Sequence, residues 1–192
     1  MWRWPGKIRG MTGFAEQMRA GDGVCQRGLW LTFLSPFGLE LAGGCGAAWI
    51  GIDIQHGDLD IADVAPLARV SLLGRRDQPL LLPMVETRAG LDHLDDILGV
   101  DGVDGVFVGP YDLTLSLGQK SALDDAVVPA IVSVLDRTRE RGRIAGIFTG
   151  NRELTELLPA VDLLGVDTDA AALRAGLKLM FGPGAGSGLS AL

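Results

Sequence analysis

Three side chains stand out for where they fall along the chain. Glu86 ends an apolar run over 80–85, and Asp112 follows a second run over 106–108, in Gly109-Pro110-Tyr111-Asp112. Between the runs, Leu91, Leu94, Ile97 and Leu98 recur at helical spacing. Strand, helix, strand in that order is a βαβ unit, whose strands run parallel and end at one edge. Carboxylates at or just past neighbouring strand ends can converge on one hard divalent cation. On type alone the plainer readings are a surface residue for Glu86 and a helix N-cap for Asp112. The third side chain, His56, lies in Asp53-Ile54-Gln55-His56-Gly57, just after the apolar run 49–52. In parallel α/β proteins that edge is where sites form. An imidazole there suits general-base work because it titrates near working pH. A loop histidine that merely follows a strand is the plainer alternative.

These residues need elements to hold them. Strands are expected at 28–33, 49–53, 80–85, 106–108, 144–148 and 163–166. Helices are expected at 13–20, from Ser35-Pro36, at 60–70, over the central leucines, and near 122–141, 152–158 and 169–180. Ser35 reads as an N-cap with Pro36 in the first turn. The helix that follows carries Phe37, Leu39 and Leu41. Alternation of strands and helices with short loops is the grammar of a (β/α) barrel or a doubly wound sheet. Residues 1–12 read as an N-terminal tail, 13–180 as one (β/α) domain, and the Gly/Ser-rich 181–192 as a flexible tail.

The 192 residues suffice for one domain with a core. A formal charge of −7 without a basic patch disfavours a nucleic-acid partner. No run approaches the ~20 apolar residues of a membrane span, so no membrane partner is expected. Cys25 reads as a loop residue and Cys45 as packed in a helix turn. Together they form no metal or redox spacing, which suits a reducing cytoplasm. His93 sits among Asp92, Asp95 and Asp96 and reads as a solvated helix face. Schiff-base chemistry in an α/β fold needs a lysine at a strand end. Lys7, Lys120 and Lys178 fall in a tail, a loop and the last helix.

Val85-Glu86-Thr87, Asp95-Asp96-Ile97-Leu98 and the stretch Gly102–Leu113, GVDGVFVGPYDL, together resemble the HpcH/HpaI aldolase family. The resemblance covers 28–69 and 79–180. It implies a metal-dependent pyruvate aldolase with a TIM-barrel-type (β/α) fold. It implies that Glu86 and Asp112 bind a divalent metal (Mg²⁺, Mn²⁺ or Co²⁺). His56 would be the general base and Asp53 its supporting carboxylate, orienting it and stabilising its protonated form. The backbone around Gly109, Pro110 and Tyr111 would hold the carboxylate of a small-molecule 2-oxo acid. The activity implied is class II cleavage or formation of 4-hydroxy-2-oxo acids with pyruvate as the enolate component. Alternatives are a degenerate chain that keeps metal and 2-oxo acid binding, and a CoA-ester lyase of the citrate lyase branch.

A complete barrel has eight βα units and typically ~250 residues. Six are expected here. In the family two more units stand between the His-bearing strand and the Glu-bearing strand, where this chain has only 70–78, VSLLGRRDQ. The fold is therefore expected to be shortened to about six βα units, with the family's catalytic Arg in the missing part. Arg69, Arg75, Arg76 and Arg88 follow no matching motif and receive no role. Six strands cannot keep eight-strand closure. Exposed edges would favour a homo-oligomer.

Overall fold

The computed structural model of the chain describes residues 13–20, 24–43, 45–71 and 80–182. The expected tail at 1–12, residues 183–192 of the tail expected at 181–192, and residues 72–78 of the bridge expected at 70–78, with Arg75 and Arg76, lie outside the described residues. In chain order the elements are α1 (Phe14–Ala20), β1 (Gln26–Leu31), α2 (Pro36–Ala42), β2 (Trp49–Ile52), α3 (Ile61–Ser71), β3 (Met84–Val85), α4 (Arg88–Asp92), α5 (Leu94–Leu98), β4 (Gly105–Val108), α6 (Pro110–Ser116), α7 (Val128–Glu140), β5 (Ile144–Phe148), α8 (Arg152–Leu157), β6 (Leu163–Thr168) and α9 (Asp169–Phe181).

All strand pairs are parallel. The strand order is β2-β1-β6-β5-β4-β3. Read from β3 through β6 and on through β1 to β2, this is the neighbour order of a (β/α) barrel. Among the described residues β2 and β3 do not pair, so the sheet is a curled half-barrel open between them. That opening is where the two absent units would stand.

The sequence accounts for most boundaries. The Ser35 hydroxyl caps α2 by accepting from Gly38 N–H, and Thr87 caps α4 by accepting from Gly90 N–H. Asn151 Oδ1 accepts from both Glu153 and Leu154 N–H at the start of α8. Other expectations shift. The strand foreseen at 80–85 keeps ladder geometry only at Met84–Val85. Pro83 has no N–H to give, although the Leu81 and Pro83 carbonyls still accept from Asp104 and Phe107 N–H. The central helix is two short ones that break at His93, which is exposed as foreseen. The helix foreseen from 122 begins at Val128. β1 begins two residues earlier than expected and β6 ends two later. Cys45 lies beyond α2 and is exposed rather than packed in it. Phe37 and Leu41 face solvent, leaving Leu39 as the buried residue of α2. Phe181, placed in the tail from sequence, closes α9.

The side chains form two layers outside the sheet and one inside. Outside β3–β6, Val85, Val106, Val108, Ile147 and Leu164 pack under Leu94 and Leu98 of α5 and Ile131 and Leu135 of α7. Outside β1 and β2, Leu31, Leu39, Leu59 and Leu67 form a smaller cluster with α2 and α3. The concave inner face carries Trp30, Trp49, Phe107 and Phe148, with Met18 of α1 beneath. The register sets each of these rings opposite a glycine: Trp49 with Gly28, Trp30 with Gly51, Phe107 with Gly146 and Phe148 with Gly165. A Cβ at any of those glycines would collide with the ring that covers it. The bore of the half-barrel is thus filled by rings lying across neighbouring strands.

Candidate active site at the carboxyl edge of the half-barrel

The residues singled out from sequence gather at one edge of the sheet. Asp53 follows the last residue of β2, and Glu86 follows the last residue of β3. Asp112 stands just past β4, as the third residue of α6. The N-cap of α6 is Gly109, so the N-cap reading of Asp112 does not hold. Gly109 is also what lets Glu86 approach. A Cβ there would come within 2.7 Å of Glu86 Oε2 and 3.1 Å of its Cβ. The half-buried Glu86 carboxylate therefore lies against the turn that leads into Asp112.

The electrostatics record this grouping. Burial pushes the Glu86 pKa up, the Asp112 charge adds to the rise, and Asp53 adds a smaller share while His56 opposes it. No ion pair to Glu86 or Asp112 forms among the described residues. Two facing carboxylates without a cation fit a divalent ion, which would relieve the repulsion that raises Glu86. Among the described residues no three His, Cys, Asp or Glu side chains are close enough to enclose an ion. The pair would supply two ligands, leaving the other positions to water and substrate, as is usual for Mg²⁺.

Across the opening, Asp53 is closely held. Its Oδ1 accepts from the N–H groups of Gln55 and His56, both at 2.9 Å. Its Oδ2 accepts from Trp30 Nε1–H at 3.0 Å and lies 3.5 Å from His56 Nδ1. Burial works to raise the Asp53 pKa, but the His56 amide, the Trp30 indole, the Gln55 amide and the His56 charge outweigh it, and the net shift is downward. The carboxylate stays ionised beside an imidazole whose side chain is 57% exposed. With Nδ1 turned to Asp53, Nε2 is the His56 nitrogen left for another partner.

The segment expected to hold a carboxylate is only partly available. Gly109 N–H donates to Val85 O, and Pro110 has no N–H. The N–H groups of Tyr111 and Asp112 remain, since first-turn amides have no acceptor within their own helix. The Tyr111 hydroxyl donates to Thr149 O at 3.1 Å. Burial and the Asp167 charge push that phenol's pKa up. Its ring, tilted against Phe148, links the edge to the inner layer.

Two contributors were not foreseen from the sequence. Trp30 lies one residue from the end of β1, and only tertiary structure sets it against Asp53. Asp169, first residue of α9 and buried, accepts from Thr32 N–H, Thr32 Oγ1–H, Phe33 N–H, Leu34 N–H and Ala170 N–H. It ties the loop after β1 to the end of β6 across the seam. A lone Asp opening a helix looks like any first-turn acid, so nothing in the sequence marked it.

Residues 73–160 match the family model described as HpcH/HpaI aldolase/citrate lyase. A hydroxypyruvate/pyruvate aldolase of Roseovarius nubinhibens is 54% identical over 73 residues, which are 38% of this chain and 28% of that protein. A hydroxypyruvate/pyruvate aldolase of Agrobacterium fabrum is 27% identical over 224 positions, taking in 76% of this chain and 84% of that protein. Those 224 positions exceed the 192 residues of this chain, so that relative carries residues inside the match which this chain lacks. The crystal structure of a HpcH/HpaI aldolase/citrate lyase family protein from Burkholderia cenocepacia J2315 superposes with a TM-score of 0.73 at 22% identity, covering 86% of this chain and 96% of that one.

Proposed function

We propose that this chain, whose residues 73–160 match the HpcH/HpaI aldolase/citrate lyase family model, is a class II aldolase, a carbon–carbon lyase acting on 4-hydroxy-2-oxo acids with pyruvate as the enolate component. The observation that carries this reading is that Glu86 lies against the Gly109 turn that opens α6 and brings in Asp112, at the same sheet edge as the Asp53–His56 pair. The names of the aldolase relatives support the same class.

Glu86 and Asp112 hold the divalent ion, Mg²⁺, Mn²⁺ or Co²⁺. When bound, it supplies Lewis-acid polarisation of the keto oxygen of a 2-oxo acid. The N–H groups of Tyr111 and Asp112 meet the substrate carboxylate at the start of α6. His56 removes the 4-hydroxyl proton as the C3–C4 bond breaks, leaving an aldehyde and the enolate of pyruvate, whose C3 takes up a proton from solvent; in the condensation direction His56 returns its proton to the new 4-hydroxyl. Asp53 keeps the imidazole oriented and offsets its charge once protonated. No imine is expected, because no described lysine directly follows a strand: Lys120 lies in the loop after α6 and Lys178 in α9. A chain that lacks the Arg-bearing strand binds a 2-oxo acid better than it turns one over. One preorganised donor to developing oxygen charge is worth ~10²–10³ in rate.

The test pairs two assays on one sample. Calorimetry with Mn²⁺, and with Mg²⁺ plus oxalate, reports binding in wild type and Glu86→Gln. Pyruvate release from a 4-hydroxy-2-oxo acid reports turnover. The expected result is metal binding in wild type, its loss in Glu86→Gln, and turnover abolished by chelation. Equal metal affinity in both proteins, or a borohydride-trapped pyruvate adduct on Lys120 or Lys178, overturns the reading. Oxalate binding without any turnover moves the assignment to a 2-oxo acid binder.

A further inference from the structure

We infer that Trp30 is a positioning residue of the site: its indole N–H fixes the Asp53 carboxylate, and through Asp53 the His56 imidazole. The inference rests on the site reading given above, and deepens it by naming what sets the geometry of the proposed base.

The local need is specific. β2 pairs with β1 on one side only, and among the described residues no strand pairs with its other side. The loop that carries Ile54–Asp58 is exposed throughout. Asp53 N–H donates to Leu31 O, and this bond ends the pairing of β2 with β1. Beyond it, Asp53 organises the start of the turn, taking two amides on Oδ1, and Asp58 N–H donates to Thr32 O at its far end. Oδ2 is then left to the imidazole and the indole. Without the indole, the carboxylate plane is constrained from one side only.

The indole is a rigid donor. Its ring stacks on Phe107 with centroids 5.5 Å apart and planes at 22°. Trp49 meets it edge-on at 6.4 Å, and Phe148 lies tilted against it at 5.5 Å. Beneath it is Gly51, its register partner in β2, where a Cβ would occupy the ring's own space. Contacts on both sides of the ring leave no second rotamer that keeps the packing. The N–H therefore emerges from the inner layer at a fixed point at the end of β2. Trp49 offers a built-in contrast. It belongs to the same aromatic layer, but its Nε1–H donates to Gln26 O at the opposite end of β1. It fills the bore and makes no hydrogen bond to Asp53, His56, Glu86 or Asp112.

Trp30→Phe keeps a ring in the stack and removes the donor, and Trp49→Phe is the packing control. Two readouts separate the roles. In ¹⁵N spectra of the metal-free protein, the Gln55 and His56 amide signals should move in Trp30→Phe and lose roughly tenfold in exchange protection, while Trp49→Phe leaves them in place. In the aldol assay, Trp30→Phe should lower kcat by roughly 10- to 100-fold with KM for the oxo acid within about twofold. Trp49→Phe should keep wild-type kcat. Equal effects of the two variants in both readouts would show that Trp30 only fills space, and overturn the inference. A fall in kcat with unmoved Gln55 and His56 amides overturns it too, because Trp30 would then act on substrate and not through Asp53. If wild type shows no turnover, the aldolase reading fails while the amide readout still decides the positioning role. Should Trp30→Phe not fold, Asp53→Asn leaves the tryptophan in place. The Trp30 indole N–H signal must shift in that variant, and an unmoved signal rejects the contact.

Discussion

β5 and β2 are both short parallel strands of one sheet, yet they live in different surroundings. β5 lies between β4 and β6, and Ile144, Ala145, Gly146 and Ile147 are all buried. β2 has one neighbour, and none of its four residues is buried. The same contrast separates β4, buried at all four positions, from the two-residue β3 beside it. Stability is therefore concentrated at the β4–β5–β6–β1 seam and its helices. The candidate chemistry is placed on the margins of the opening, at the ends of β2 and β3. Catalytic margins carried by a well-packed centre are a common division in enzymes. Here the margins are also sheet edges, so they depend on single polar contacts such as Trp30 to Asp53.

The contrast can be broken or sharpened by experiment. The largest effect is expected at the centre. Ile147→Ala should cost about 3 kcal/mol, in the range for a fully buried aliphatic side chain. Ile50→Ala in half-buried β2 should cost about 1 kcal/mol. Urea denaturation of the two variants measures the difference, and similar losses would mean that β2 is as well supported as β5. Next is the seam. Asp169→Asn turns an amide NH₂ toward donors that now meet a carboxylate oxygen, leaving buried N–H groups unpaired. About 2 kcal/mol should be lost, with faster hydrogen exchange at Phe33 and Leu34. Unchanged exchange there would remove Asp169 from the account of the seam.

At the margin the sign reverses. Glu86 has a raised folded pKa, so its contribution favours folding below the unfolded carboxylate pKa and is lost as pH rises through the folded one. Near neutral pH the charged form opposes folding. Glu86→Gln should therefore stabilise the metal-free protein, by less than about 1 kcal/mol given its exposure. It should also abolish any rise in Tm on adding Mn²⁺. A variant that loses stability in metal-free buffer contradicts the repulsion between Glu86 and Asp112. The smallest effect lies at the opposite end of the sheet, where Arg19 donates to Asp104 at 2.7 Å. The Arg19 hydrogen bond holds the Asp104 pKa down against a smaller opposing push from burial, and the Leu81 amide helps. A depressed carboxylate contributes above its unfolded pKa of about 3.9, and that contribution disappears as pH falls through the folded value. Asp104→Asn should flatten the acid limb of a stability–pH curve slightly. An acid limb identical to wild type would show the pair to be neutral, as many exposed pairs are.

Much of this molecule was legible in the sequence because the signals are local. Ser35, Thr87 and Asn151 cap helices through bonds spanning two or three residues. The apolar runs at 106–108 and 144–148 are long enough in β-branched and aromatic residues to fix strands there. Errors fell where neighbours outvoted local pattern. Leu80–Pro83 has a strand's composition, but a proline and an edge position deny it a full ladder. Phe37 and Leu41 have core composition, yet α2 turns them to solvent.

The order of the strands, by contrast, is a tertiary fact. The family resemblance puts two absent units between the strands bearing Asp53 and Glu86, and the sheet shows the result: among the described residues β2 and β3 do not pair, and the half-barrel stands open between them. The same holds for the contacts that tune the site. Trp30 meets Asp53 across 23 residues of sequence, and Asp169 meets Thr32 across 137. Glycine at 28, 51, 146 and 165 is readable as glycine, but not as the floor beneath an aromatic ring, because that depends on the register of the next strand. Residue types set what each position can do. Which partner it does it with is decided by chain segments brought together from far apart, whose closure is favoured only when the whole sheet forms.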